Sequence, residues 1–419
     1  MTGARRLDPY RHDWMVAPAT RAVMAALNGP DGADRARFVG GCVRNTLMGR
    51  PVDDVDIATV LQPAEVVDAL EAAGLKAVPT GLEHGTVTGV AEGRPFEITT
   101  LRKDVETHGR RAVVAFTGDW SEDAARRDFR LNAIYARADG TLFDPFDGAA
   151  DADAGRIVFI GEARERIAED YLRILRFYRF NAWYAAGEPD AEGHGACVEM
   201  RAGLGRLSAE RVWKELKKLL AAPSPERALK AMQEGHVLNE VFAGELDFNL
   251  LLGIINSDQR ESLPPDPLLR VAALCGADAG QMTALSDAMK ASNAERARFQ
   301  GAAARPRAVP GLDPQARRAA LYRLGPQAFS DQIRLAAAKG EGAASALTSD
   351  LEMAAQYQRP VMPVRGKDLV AAGFETGPAL GDVLERLKRD WIASDFTLDK
   401  AALIKRAGEV RPGDGEGER

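Results

Sequence analysis

The chain has 419 residues, 46% of them hydrophobic, so it can bury the cores of roughly two to four domains. It has no apolar run of about eighteen residues and no apolar stretch near its charged N-terminus, which argues against a transmembrane helix and a secretory signal. Its three scattered cysteines argue against a disulfide framework or zinc site and fit a reducing cytoplasm, while the net charge of −6 counts mildly against a nucleic-acid binder.

Basic residues are nevertheless concentrated locally. Arginine and lysine gather at 101–111, 164–179 and 201–218. A local basic surface is therefore compatible with the negative net charge of the whole chain.

The N-terminal residues 1–35 are predicted to form a leader with one helix. That helix spans roughly 19–27 and ends at the turn residues Asn28, Gly29 and Pro30.

A glycine turn followed by a short helix is predicted at Gly40 and Gly41. Only glycine lets the backbone approach a ligand this closely. Residues 42–48 then form a helix that Gly49 ends, and the free N–H groups at its start suit a phosphate. A pair of glycines before a helix is more often only a turn, so this motif needs support from the rest of the chain.

Two carboxylates follow this turn. On a strand, Asp54 and Asp56 would point to the same face, while Val55 and Ile57 would point into a core. Two carboxylates aimed at a phosphate-binding turn indicate a divalent metal site for phosphoryl transfer. Without further support, two aspartates at this spacing usually lie in a solvated loop.

The next predicted elements are a helix at 63–73 and strands at 87–90 and 95–101. Glu97 alternates with apolar neighbours on the last strand. It is either a third carboxylate beside Asp56 or an ordinary half-exposed strand residue.

The charged segment 102–111 lacks periodicity and is predicted to be a mobile loop that closes over a substrate. The alternative is a solvated hairpin tip. A charged helical turn at 123–132, a strand at 141–143 and an acidic loop at 151–155 complete the first part of the chain.

One long helix is predicted over 162–184. It places Asp170, Arg173, Arg176 and Arg179 at i, i+3 spacing along one ridge. Three arginines on a ridge repel one another, so they either bind a polyanion or are solvated.

The remainder of the chain is predicted to be helical. Ser208 begins a helix with a continuous apolar face and a lysine-rich opposite face. Another helix begins at Ser224-Pro225, 306–314 resembles a linker, and 409–419 has the composition of a disordered segment.

Four segments, taken in order, resemble the class II tRNA nucleotidyltransferase and bacterial poly(A) polymerase family. They are Gly40 to Asn45 with Asp54 and Asp56, Arg126 to Phe129, Asp144-Pro145 with Gly148, and Glu169-Asp170 with Arg173 and Arg176. The resemblance covers about 35–220 strongly and 363–378 more weakly. The ordered set is specific, although each piece alone is not.

The resemblance implies an α+β fold: a nucleotidyltransferase head with a mixed five-stranded sheet, followed by an all-α neck, body and tail. The predicted divisions are a leader at 1–35, the head at 36–160, nucleotide-selecting neck helices at 161–222, a helical body at 223–305, a tRNA-binding helical tail at 306–408 and a disordered end at 409–419.

The resemblance also implies the roles of the carboxylates. Asp54 and Asp56 would hold two magnesium ions. One ion would activate the 3′-hydroxyl of the RNA, and both would stabilise charge on the α-phosphate and on the departing pyrophosphate.

The triphosphate of ATP or CTP would be held by Gly40, Gly41, Arg44 and Arg127, as the resemblance implies. Further candidate site residues are Asp128 and Asn132, which follow Arg127 in the same segment.

Asp170 and Arg173 match the positions that read the incoming base. Cytosine and adenine both present an amino donor beside a ring-nitrogen acceptor, and guanine and uracil reverse this order. A carboxylate that only accepts and a guanidinium that only donates would therefore select C and A. Arg176 and Arg179 would support the base or the phosphates.

Two positions depart from the family pattern. Asn45 stands where the family usually has aspartate, and it can still accept a hydrogen bond from Arg44 but without charge. Arg130-Leu131 replaces the usual Thr-Ile. Neither change touches a proposed metal ligand.

The function implied is template-independent addition of C, C and A to the 3′ end of tRNA in the cytoplasm, with tRNA, ATP and CTP as the partners and no membrane or protein partner. Open alternatives are a poly(A) polymerase, a CC-adding or A-adding variant, and an RNA-binding protein that has lost catalysis. The acidic, mixed end of the chain favours CCA addition over poly(A) synthesis. No His-Asp phosphohydrolase motif occurs, so no second activity is expected.

Overall fold

The computed structural model describes residues 5–82, 85–108, 111–305 and 307–409. The chain divides into two compact units, 1–243 and 244–419. The first unit combines a β-sheet with helices, and the described part of the second is helical, so the predicted α+β class is confirmed.

The elements of the first unit follow one another along the chain. Its strands are β1 Ala36–Val39, β2 Asp56–Thr59, β3 Lys76–Gly81, β4 Thr86–Ala91, β5 Arg94–Thr100, β6 Arg102–His108, β7 Arg111–Phe116, β8 Tyr135–Ala136 and β9 Leu142–Phe143. Its helices are α1 Asp13–Val16, α2 Pro18–Asn28, α3 Gly41–Leu47, α4 Pro63–Ala72, α5 Trp120–Ala125, α6 Gly148–Ala154, α7 Ala163–Glu169, α8 Leu172–Tyr184, α9 Ala191–Glu199, α10 Ala209–Leu220 and α11 Glu226–Glu234.

The main sheet is mixed and has the strand order β3-β4-β5-β2-β1-β8-β9. Only the β2–β5 pair is parallel among the paired strands described for this sheet. The sheet has seven strands, where five were predicted. The prediction missed β3, an edge strand that has no buried residue and no alternation of burial, and β8, which is two residues long.

The two faces of the sheet are covered differently. Phe38 and Ile57 face a core with α2 and α4, and Met15, Val23 and Leu27 of the N-terminal segment belong to the same core. The predicted leader is thus an integral part of the head packing. The opposite face is covered by a second cluster that contains Val39, Ala58 and Tyr135. Because side chains two apart share a face, Asp56 lies on the side of Ala58.

Three local predictions differ from the structure. The long helix predicted over 162–184 is broken into α7 and α8, because Asp170 is extended (φ −153°, ψ 105°) and its carboxylate accepts a hydrogen bond from the Leu172 N–H at 3.1 Å. The segment predicted as a mobile loop lies in the paired strands β6 and β7, and residues 109–110 lie outside the described residues. The acidic loop predicted at 151–155 is mostly α6, which begins where Asp144 accepts from the N–H groups of Gly148 and Ala149.

The helices of the neck region begin near the predicted positions. The apolar face of α10 is buried as predicted, although the Ser208 side chain makes no capping hydrogen bond. The predicted boundary between neck and body at 222 falls inside the first compact unit, which extends to residue 243. The division into head, neck, body and tail stays a prediction.

The described part of the second unit is built of helices, and its apolar clusters include one with Phe329 and Ile333 and another with Leu387 and Trp391. The helices are α12 Phe248–Arg260, α13 Pro267–Leu274, α14 Ala279–Ala288, α15 Asn293–Ala303, α16 Pro314–Leu324, α17 Pro326–Ala338, α18 Leu347–Ala355, α19 Gly366–Ala371, α20 Pro378–Ala393 and α21 Lys400–Gly408. No helix in the described ranges is long and apolar enough to cross a membrane. The predicted disordered end from 410 onward lies outside the described residues.

Candidate active site

The glycine turn lies against two charged side chains. Gly40 has a φ of 70°, a conformation that favours glycine. A Cβ atom at Gly40 would lie 3.8 Å from Arg127 Nη1 and 4.0 Å from Asp56 Oδ2. The turn, the guanidinium of Arg127 and the carboxylate of Asp56 are therefore immediate neighbours.

The two predicted metal ligands differ in their surroundings. Strand β2 begins at Asp56, so Asp54 lies in the preceding connection and is exposed. Burial, together with the charges of Glu97 and Asp54, raises the pKa of Asp56 to about 6, against the opposing effect of Arg127 and Arg44. Glu97 lies directly opposite Asp56 in the parallel β2–β5 register.

A divalent cation fits these oxygen donors. Its charge would offset the burial and the neighbouring carboxylates that raise the pKa of Asp56, and carboxylate oxygens are the ligands that magnesium prefers. The described residues hold no group of three or more potential ligands gathered around one metal position. The role of Glu97 as a third carboxylate stays a prediction.

Asp123 organises the arginines beside the turn. Its side chain is 1% exposed and accepts from Arg126, from Arg127 and from the Tyr135 hydroxyl, the last at 2.6 Å. Although burial raises the pKa of a carboxyl, the two guanidinium groups outweigh it and lower the pKa of Asp123 to about 2. Arg127 also donates from Nε to the Tyr135 hydroxyl at 3.1 Å, which fixes its direction.

Replacing Asp123 by Asn should lower the free energy of unfolding by about 3 kcal/mol at pH 7, because two half-buried arginines lose their shared, buried carboxylate. The pKa of Asp123 is lower in the folded chain than its ordinary value of 3.8. Its stabilising effect is therefore present above about pH 4 and is lost as the pH falls through about 2. Urea unfolding of both chains at pH 7 and at about pH 2 measures this contribution to stability. Asp119→Asn, at an exposed helix cap, is the control and should change stability little; equal losses in both variants would contradict the role of Asp123.

A chain of hydrogen bonds joins the glycine helix to α8. Arg44 donates to Asn132 at 2.6 Å, Asn132 donates to Asp128 at 3.0 Å, and Arg176 donates to Asp128 at 2.8 Å. Burial raises the pKa of Asp128, but the charge of Arg176 and these hydrogen bonds lower it overall. Asp128 and Asn132 thus connect the predicted phosphate-binding side to the predicted base-reading side.

The two predicted base-reading residues each have a partner. Asp170 accepts from Arg211 at 2.7 Å, and Arg173 pairs with Glu169 and donates to the Arg166 carbonyl at 2.6 Å. The carboxylate oxygens of Asp170 each retain a lone pair, and within the described chain the Nε–H of Arg173 makes no hydrogen bond. Acceptor and donor capacity remains on both side chains.

The arginine ridge is not a row of solvated charges. Arg173 pairs with Glu169, Arg176 with Asp128 and Arg179 with Glu215. Each arginine has its own carboxylate, so mutual repulsion along the ridge is offset within the fold.

These elements enclose one cavity of about 450 Å³. It is lined by Gly40, Gly41, Arg44, Asp56, Arg126, Arg127, Asp128, Asn132, Asp170, Leu172, Arg173, Arg176 and Arg211. Its lining holds six arginines and three aspartates, a surplus of positive charge that suits a polyphosphate.

Three predicted site residues lie outside this lining: Asp54, Glu97 and Arg179. Arg179 lies on α8, nine residues beyond Asp170, and pairs with Glu215. Its contribution to nucleotide binding stays a prediction.

Sequence reasoning missed several residues in or beside this site, among them Asp123, Arg211 and Tyr184. Asp123 precedes Arg126 and Arg127 by three and four residues, a helical spacing that could have indicated the pairing. Arg211 stands at the start of α10 inside a basic cluster, without a local sign of its partner. Tyr184, whose hydroxyl accepts from Arg44 at 2.8 Å, had no signal beyond being aromatic.

Two family models match segments in the N-terminal 247 residues. The model described as "Poly A polymerase head domain" matches residues 36–158. The model described as "Probable RNA and SrmB-binding site of polymerase A" matches residues 190–247.

Curated proteins match over most of the chain. The CCA tRNA nucleotidyltransferase 1, mitochondrial, of Mus musculus is 33% identical and covers 88% of this chain and 85% of its own length. The CCA-adding enzyme of Limosilactobacillus fermentum is 32% identical and covers 90% of this chain and 93% of its own.

A solved structure has the same fold. The Bacillus stearothermophilus CCA-adding enzyme in complex with CTP matches with a TM-score of 0.71 and 25% identity, over 94% of this chain and 97% of that one.

Proposed function

This chain belongs to the family of CCA-adding tRNA nucleotidyltransferases, and we propose that it adds C, C and A to the 3′ end of tRNA from CTP and ATP, releasing pyrophosphate. The single observation that carries the proposal is the shared cavity. It brings the glycine turn and Asp56 together with Asp170 and Arg173, which are more than one hundred residues away in the sequence.

Asp54 and Asp56 are the residues that would hold magnesium. Two bound magnesium ions would lower the pKa of the attacking 3′-hydroxyl and stabilise negative charge on the α-phosphate and the pyrophosphate. Burial of Asp56 beside other carboxylates supports this assignment, because such a site attracts a cation.

The polyphosphate binds along the turn at Gly40 and Gly41, where no Cβ atom blocks its approach to the backbone. Arg44 and Arg127 supply positive charge from two sides. Both are held by hydrogen bonds before the nucleotide arrives, so little side-chain ordering is needed on binding.

Base selection takes place at Asp170 and Arg173. Asp170 accepts from the amino group of cytosine or adenine, and Arg173 donates to the neighbouring ring nitrogen. Guanine and uracil would set acceptor against acceptor and donor against donor, which leaves buried groups unsatisfied. An ion pair with Glu169 holds Arg173 in position, and an ion pair with Arg211 holds Asp170.

The same geometry accepts both C and A, so one cavity serves all three additions. We place this activity in the cytoplasm, because Cys42, Cys197 and Cys275 are free and buried, as expected for a protein of a reducing compartment.

The assay that tests this function uses tRNA lacking its 3′ CCA, with each labelled nucleotide supplied alone and then together. We expect two additions with CTP alone, and a third followed by a stop when ATP is also present. A long ladder with ATP alone would instead indicate poly(A) synthesis. Incorporation of only C, or of only A, when both nucleotides are supplied would indicate a CC-adding or an A-adding variant.

A further inference from the structure

A second cavity lies within the first compact unit, beside the C-terminal end of α8. It has a volume of about 520 Å³ and shares no lining residue with the cavity that contains Asp56 and Asp170. Its walls come from the end of α8, the connection to α9, the start of α11 and the residue that follows Gly49. The lining residues are Arg50, Asn181, Ala182, Trp183, Ala185, Ala186, Gly187, Pro189, Pro223, Ser224, Glu226, Arg227 and Ala228. None of them has a role in the proposed function.

Two arginines in this lining have no carboxylate partner within the described chain. The half-buried guanidinium of Arg50 makes no hydrogen bond or ion pair there, and its central carbon lies 5.0 Å from the centre of the Tyr184 ring. Arg227 is exposed and donates to the Ala186 carbonyl at 2.8 Å. The arginines of the ridge, by contrast, each pair with a carboxylate. Two guanidinium groups without carboxylates attract an anion, and their planar geometry suits a phosphate.

The start of α11 adds main-chain donors to the same cavity. Its first N–H groups, those of Glu226, Arg227 and Ala228, have no hydrogen-bond partner among the described residues, and no side chain caps the helix. Such N–H groups, together with the positive end of the helix dipole, favour a phosphate. With two arginines and one glutamate, the lining carries one net positive charge.

The other polar groups of the lining suit the sugar and the base of a nucleotide. Asn181 is 6% exposed, and its Oδ1 has no hydrogen-bond partner in the described structure. Asn181 and the carboxylate of Glu226 can accept from ribose hydroxyls or from the amino group of a base. The indole of Trp183 is held by a hydrogen bond from its Nε1 to the Lys218 carbonyl at 2.8 Å, and a base can stack on such a ring.

We propose that this cavity binds a ribonucleotide, with its phosphate at Arg50, Arg227 and the start of α11 and its base against Trp183. The ligand is either a free nucleotide or one nucleotide of an RNA strand, because both present the same phosphate, sugar and base. The cavity is linked to the proposed phosphate-binding side, since the Tyr184 ring that contacts Arg50 also lies 4.0 Å from the guanidinium carbon of Arg44. Binding there requires none of the residues assigned to catalysis, so it is independent of the proposed function.

The test counts the ATP molecules bound per chain by equilibrium dialysis, with magnesium present and tRNA absent, and measures the affinity for tRNA lacking CCA separately. The variant combines Arg50→Gln with Arg227→Gln. If the cavity takes a free nucleotide, the unmodified chain should bind one ATP more than the variant. If it takes a nucleotide of the RNA, both chains should bind the same number of ATP molecules, and the variant should bind tRNA about tenfold more weakly.

Two further variants complete the test. Trp183→Leu removes the stacking surface and should lose the same ATP molecule or about the same tRNA affinity. Arg21→Gln combined with Arg94→Gln is the matched control for net charge, because both arginines are exposed and line neither cavity. The control should bind ATP and tRNA as the unmodified chain does.

Equal numbers of bound ATP in the unmodified chain and in the Arg50 and Arg227 variant, together with unchanged tRNA affinity, would overturn the inference. An equal loss of tRNA affinity in the control would also overturn it, because the loss would then be a general effect of charge. Absence of nucleotide addition by the unmodified chain would contradict the proposed function and leave these binding measurements to decide on the second cavity.

Discussion

Replacing Asp56 by Asn should reduce nucleotide addition at least about a thousandfold, and Asp54→Asn should have an effect of similar size, because each removes a ligand from the proposed magnesium site. Binding of tRNA lacking CCA should change little, since neither side chain is proposed to contact it. The pKa of Asp56 is raised, so its ionised form is disfavoured in the folded chain. Its neutral substitute should therefore leave the Tm unchanged or higher.

Asp53→Asn is the matched control, because Asp53 is adjacent, exposed and of the same chemical type. It should retain activity, and it should bind manganese, a common substitute for magnesium, as the unmodified chain does. Substantial turnover by Asp56→Asn, or equal losses in Asp53→Asn and Asp54→Asn, would show that the metal ligands have been assigned wrongly.

Replacing Asp170 by Asn should raise the incorporation of UMP and GMP relative to CMP and AMP about a hundredfold. The amide can donate as well as accept, so wrong bases no longer leave the site unsatisfied. The oxygen that accepts from the Leu172 N–H is kept, so the start of α8 should persist. Competition between labelled nucleotides on tRNA measures the ratio.

Asp190→Asn is the control for the helix cap, because Asp190 caps α9 by accepting from the Gly193 N–H at 2.9 Å and does not line the cavity. Its nucleotide preference should equal that of the unmodified chain. If Asp170→Asn rejected UTP as firmly as the unmodified chain, selection would have to be located elsewhere.

The features that could be predicted from the sequence depend on local signals. The turn at Gly40 and Gly41, the helix after it and the strands around Glu97 follow from glycine positions and alternation over a few residues. The apolar face of α10 follows from helical periodicity. The structure contains these elements because each is specified by neighbours within one or two turns of chain.

The features that could not be predicted depend on distant partners. Arg176 pairs with Asp128 across 48 residues, Arg211 with Asp170 across 41, and Arg179 with Glu215 across 36. Periodicity alone predicted one helix that carries Asp170 and the three arginines. In the structure Asp170 is extended and lies before α8, while each of the three arginines on α8 pairs with a carboxylate.

In the proposed function, Asp56, the glycine turn and the base-reading residues act on one nucleotide in one cavity. A crystal structure of the chain with CTP and magnesium tests this arrangement. We expect the triphosphate at Gly40 and Gly41 beside Asp56, and the amino group of cytosine within hydrogen-bond distance of the Asp170 carboxylate. A cytosine that contacted neither Asp170 nor Arg173 while the triphosphate lay at the glycine turn would contradict this arrangement.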